Sequence, residues 1–206
     1  MRLLTDGPAD ARVTFAFAQG AGGAMDTPFM TRMARGLGER GIRVVRFEFP
    51  YMAARREDGR RGAPDRQPVL LQCFRDVVQE LGGRVAVGGK SMGGRMASMI
   101  ADEVRAPALV CLGYPFHPPG KPTQLRTAHL ETLRTPALVV QGTRDPFGTP
   151  EEVADYPLSP AIRFEWLPDG DHSLKPRKAS GVTETDNFER AMSVISAFLM
   201  TCSKED

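Results

Sequence analysis

What most limits how this chain can fold is an alternation. Short apolar blocks, bounded by Gly, Pro or charge, take turns with longer stretches whose apolar residues recur every three or four positions. The blocks are Val13–Ala18, Ile42–Phe49, Arg84–Gly88, Ala108–Leu112, Ala137–Gln141 and Ile162–Leu167. Near-continuous apolar runs of this length suit strands covered on both faces, as in a parallel sheet between helix layers. Leu70, Phe74, Val77, Val78 and Leu81 share one helix face; Met92, Met96, Met99 and Ile100 share another. Phe188, Met192, Ile195 and Leu199 form a third stripe. Thr27 before Pro28 reads as an N-cap with proline at the first helical position, opening a helix that ends near Gly41. The expected fold is α/β, with about six mainly parallel strands and helices on both faces.

A chain of 206 residues suits one sizeable core, so a single domain over 1–206 is expected. Lys plus Arg number 27 against 25 Asp plus Glu, a net charge of +2 that gives no electrostatic basis for a nucleic-acid or membrane partner. Cys73, Cys111 and Cys202 are widely spaced and form no CxxC pair, which points away from zinc and disulfide frameworks and toward a reducing cytoplasm. The start, MRLLTDGPADAR, meets Asp6 and Pro8 before an apolar run of signal-peptide length, and no later run approaches the ~18 residues of a membrane span. A soluble, cytoplasmic protein is expected. Two stretches break the alternation. Residues 52–68 are polar and Arg-rich (Arg55, Arg56, Arg60, Arg61, Arg66) and read as a mobile, solvated surface loop. Residues 114–124 carry four prolines that exclude regular structure, leaving little room for a cap over any site.

The chemistry concentrates in Gly88-Gly89-Lys90-Ser91-Met92-Gly93-Gly94, which holds G-x-S-x-G between a strand and a helix. In that context the motif is a nucleophile elbow, a turn so tight that small residues must flank the serine on both sides. Serine needs a base, and the base needs an orienting acid. His172, in Pro168-Asp169-Gly170-Asp171-His172, and Asp145, in Gly142-Thr143-Arg144-Asp145, each follow a predicted strand. Strand ends of a parallel sheet lie along one edge, so Ser91, Asp145 and His172 are expected to meet there. A fourth strand end, Gln19-Gly20-Ala21-Gly22-Gly23-Ala24, brings a glycine-rich turn; the backbone N–H groups of Ala21 and Met92 are the expected oxyanion donors. Asp169 and Asp171 are rival acids, but an adjacent residue usually points elsewhere, and Asp171 reads as shaping its own loop. His117 and His129 read as structural or solvent-facing, and Asp169-x-Asp171-His172 lacks zinc-site spacing, so no metal is expected.

GGKSMGGRMAS, GYPFHPPGKP, GTRDPFG and DGDHSLKPR together resemble the α/β-hydrolase superfamily, in a small branch related to dienelactone-hydrolase-like and testis-expressed α/β-hydrolase-like proteins. The resemblance runs from about the first strand to the last helix. It implies a triad of Ser91, Asp145 and His172 and carboxylic-ester-type chemistry, and it names no substrate; the short connection over 113–135 leaves an open site that favours small acyl groups, and no cofactor is expected. The chain departs from common relatives at Gln19, where many carry histidine before the oxyanion glycine. The same residues admit three other readings. Gly20–Met25 with Glu48 suggests a dinucleotide site, but Met25 stands where G-x-G-x-x-G needs its third glycine. A catalytically silent scaffold would leave a full triad without purpose. Cofactor-free perhydrolysis would use the same residues.

Overall fold

The computed structural model describes residues 2–59 and 62–203. Its centre is a seven-stranded sheet formed by β1 (Leu3–Asp6), β2 (Val13–Ala18), β3 (Ile42–Phe47), β4 (Val85–Lys90), β5 (Leu109–Leu112), β6 (Ala137–Gly142) and β7 (Ile162–Leu167). Across the sheet the order is β1-β3-β2-β4-β5-β6-β7. β1 runs antiparallel to β3, and every other pairing is parallel. The central strands are buried along nearly their whole length, as their unbroken apolar runs require.

The helices are α1 (Pro28–Gly38), α2 (Pro50–Asp58), α3 (Gln67–Leu81), α4 (Met92–Ile100), α5 (Pro150–Val153) and α6 (Glu184–Cys202). Alternate strand residues feed two cores. Phe15 and Phe17 pack with Met33 and Leu37 of α1 and with Phe188, Met192 and Ile195 of α6. Ala16 and Ala18 point the other way, toward Phe74 and Val77 of α3 and Met96 and Ile100 of α4. The period of two along the strands thus meets a period near 3.6 on each helix face. Between β5 and β6 the proline-rich chain forms only a three-residue 3₁₀ turn, Ala128–Leu130, so no large cap stands over the sheet edge.

The expected sheet of about six mainly parallel strands is present, with Leu3–Asp6 added at its edge as an antiparallel seventh strand. Four residues, three half-buried and Thr5 exposed, carry almost no period of their own; what fixes them is Arg46 of β3, whose guanidinium meets the Asp6 carboxylate at 2.7 Å with both side chains largely buried. One expectation is corrected: the Arg-rich segment is not a loop throughout. Its first part is α2, started by Pro50 at the first helical position and closed by Gly59, left-handed at φ 72°. Only Met52 is buried there, which is why apolar periodicity did not reveal the helix. Arg60 and Arg61 lie outside the described residues.

Candidate active site

The turn from β4 into α4 brings backbone against backbone. A Cβ on Gly89 would sit 2.5 Å from the Gly93 carbonyl carbon, and one on Gly93 would sit 2.4 Å from the Gln19 oxygen. Between them Ser91 adopts φ 51°, ψ −115°, a conformation that costs a non-glycine residue ~1–3 kcal/mol. The surrounding chain holds it there: the Ser91 N–H donates to the Leu112 carbonyl at 2.9 Å, across to the end of β5.

Ser91, Asp145 and His172, expected from three strand ends, are brought together. Ser91 Oγ lies 2.9 Å from His172 Nε2, and His172 Nδ1 lies 2.8 Å from Asp145 Oδ2. Asp145 is fully buried while the His172 side chain keeps 24% of its exposure, so the carboxylate is sealed from water and the imidazole faces the cleft. The Phe147 N–H donates to Asp145 Oδ1 at 3.0 Å, fixing the second carboxylate oxygen, and the Phe147 ring lies 4.3 Å from the imidazole.

The rival acids are occupied elsewhere. Asp171 Oδ1 accepts the N–H groups of Ser173 and Lys175, and so shapes the turn that carries His172. Asp169 binds the Arg177 guanidinium and the Arg144 side chain. Arg144 Nε also donates to the Asp169 carbonyl, and its N–H to the Gly170 carbonyl, so the loops that carry Asp145 and His172 are tied together.

The glycine-rich turn after β2 lies beside the elbow: a Cβ added to Gly20 would sit 3.6 Å from Ser91 Cβ. Met92 is the first residue of α4, so its N–H has no carbonyl to meet within the helix. Ala21 lines the cleft beside Ser91. This turn has anchors that sequence reading missed. The Tyr51 hydroxyl, on α2, donates to the Ala21 carbonyl at 2.9 Å and accepts from Gln19 Nε2 at 3.3 Å. Glu48 takes the Met25 N–H and pairs with Arg56, which also reaches Asp26. Glu48, considered above as a ribose contact, is thus a structural anion with its side chain 3% exposed. Lys90 was also missed: its ammonium reaches the His172 backbone carbonyl. Both omissions share a cause, since each partner lies far away in sequence.

The other histidines sit apart from Ser91. His117 is buried against the Pro118 carbonyl and Glu152. His129 meets the Ser98 hydroxyl at 2.8 Å. Among the described residues no three His, Cys, Asp or Glu side chains converge as a metal site would require. Nor, among them, is any helix long and apolar enough to cross a membrane.

The cleft over Ser91 has a volume of about 360 Å³ and is walled by Phe29, Met30, Phe147 and the Gly20–Gly23 turn. A larger groove of about 850 Å³ opens at the opposite strand ends, between β7 and α6, and contains none of the three candidate residues.

The family model described as an alpha/beta hydrolase domain matches residues 11–200, and the chain belongs to that family. Solved structures of the same fold include an alpha-beta serine hydrolase homologue from Coxiella burnetii, 18% identical with a TM-score of 0.71 over 96% of this chain and 90% of that one. A dienelactone hydrolase from Anabaena variabilis is 20% identical, with a TM-score of 0.71 over 97% of this chain and 90% of that one. A monoacylglycerol lipase from Paleococcus ferrophilus is 13% identical, with a TM-score of 0.73 over 98% of both chains. These likenesses are of fold.

Proposed function

We propose that this chain is a serine hydrolase, one domain over 1–206, that cleaves ester-like bonds (carboxylic ester, thioester or lactone) of small acyl substrates through an acyl-enzyme. The observation that carries the reading is the unbroken relay from Ser91 Oγ to His172 Nε2 at 2.9 Å and from His172 Nδ1 to Asp145 Oδ2 at 2.8 Å. As Ser91 Oγ attacks the substrate carbonyl carbon, its proton passes to His172 Nε2, and the buried Asp145 carboxylate holds the Nδ1–H tautomer and stabilises the imidazolium. The Ala21 and Met92 N–H groups receive the oxyanion. Collapse expels the alcohol or thiol, which takes the proton from His172. Water then enters, loses a proton to His172 and releases the acid as Ser91 regains its own.

The uncapped, apolar-walled cleft favours small acyl groups or acyl ends that can lie across its mouth. Cys73 and Cys111 are buried thiols outside any disulfide, in keeping with a cytoplasmic location. Hydrolysis of short-chain p-nitrophenyl esters tests the reading. Ser91→Ala is expected to lower kcat by about three orders of magnitude or more, and equal rates for the two proteins would refute it. Asp145→Asn is expected to cost about 10⁴ in kcat, against less than about tenfold for Asp171→Asn, whose loss is confined to one loop turn.

A further inference from the structure

We propose that Lys90, the residue just before Ser91, is a positioning residue whose ammonium holds the backbone of His172 and thereby sets the imidazole between Ser91 and Asp145. The inference rests on the hydrolase reading of the site and adds a member to it.

Lys90 ends β4, and its Nζ donates to the His172 carbonyl at 2.5 Å. The contact is built into the fold from a third strand. Gly113, just past β5 with φ 64°, leaves the gap in which the groups meet: a Cβ there would lie 2.7 Å from Lys90 Nζ, 3.0 Å from the His172 oxygen and 3.2 Å from His172 Cε1. The Phe29 ring closes another side, 5.4 Å from Nζ.

The need for such a tie follows from where the three residues sit. Ser91 is locked by the elbow, and Asp145 lies just past β6. His172 rides on the longer connection from β7 to α6. That connection is braced at Gly170, by the Arg144 N–H, and at Asp171 and Leu174 by the turn's own hydrogen bonds. At His172 the brace is Lys90, one residue from the nucleophile, so a single strand end sets the backbone of nucleophile and base together. A charged donor makes a shorter and stronger bond than a neutral one. Burial pushes the Lys90 amine down to about 8, against the Asp145 and Asp171 carboxylates that favour its charge, so it remains mainly an ammonium at neutral pH.

Two arms on the full chain test the proposal. In the wild type, ¹⁵N NMR of lysine side chains is expected to show a slowly exchanging Lys90 ammonium coupled through its hydrogen bond to the His172 carbonyl carbon. A freely exchanging amine signal without that coupling overturns the proposal and needs no variant to fold. In Lys90→Met, kcat on p-nitrophenyl acetate is expected to fall about 10- to 100-fold, with KM moving less than about threefold. The single Nδ1–H tautomer signal of His172 should give way to exchange-averaged signals. A folded Lys90→Met with wild-type kcat and an unchanged imidazole spectrum overturns it equally. If the wild type hydrolyses no ester, the hydrolase reading fails, while both NMR measurements still decide what Lys90 does.

Discussion

Strain at Ser91 should be measurable apart from activity. At φ 51° and ψ −115° the site suits glycine better than serine. Ser91→Gly is therefore expected to raise unfolding stability by about 1 kcal/mol while removing the proposed nucleophile; urea denaturation checks the sign. His129 gives a pH-dependent counterpart. Burial, helped by the nearby Arg95 guanidinium, pushes its imidazole down to about 4. Above its unfolded value near 6.5 it is neutral in both states; as pH falls from there toward 4 only the unfolded chain takes up the proton, so stability is lost in that window. Allowing for partial exposure, the wild type should lose about 1–2 kcal/mol more than His129→Gln between pH 7 and 5, read from urea midpoints. Ser91, Asp145 and His172 were legible in the sequence because each follows an apolar strand, and a parallel sheet gathers such positions. Lys90 and Tyr51 were not, because what defines them is a carbonyl 82 residues away for one and 30 for the other.

Elements differ in how plainly their causes are written. α6 announces itself: Thr183 accepts the Asp186 N–H while Asp186 reaches back to Thr183, and the stripe through Phe188, Met192, Ile195 and Leu199 follows. α2 and β1 are held by charge pairs that reach outside each element, Arg56 with Glu48 and Asp26 and Arg46 with Asp6, which no helix or strand period records. The elbow between β4 and α4 depends on Gly93 lying against the Gln19 carbonyl. Gly93→Ala should force α4 and the turn after β2 apart, costing about 1–3 kcal/mol of stability and lowering kcat. Thermal unfolding beside ester hydrolysis would separate the two effects.

For the molecule as a whole, parallel order does most of the work. β2, β4, β6 and β7 deliver a glycine-rich turn, a serine, a carboxylate and an imidazole to one edge, and the two apolar cores keep those strands in register. β1 extends the sheet at the far side from β7, and removing its charge with Asp6→Ala leaves buried Arg46 without its carboxylate, at a cost of about 3 kcal/mol seen in denaturant unfolding. The most direct test of the account is intact-protein and peptide mass spectrometry after exposure to a fluorophosphonate. One phosphonyl adduct on Ser91 is predicted for the wild type, with labelling slowed by orders of magnitude in His172→Gln. A folded wild-type protein that gains no mass, or gains it at a residue other than Ser91, would contradict the account.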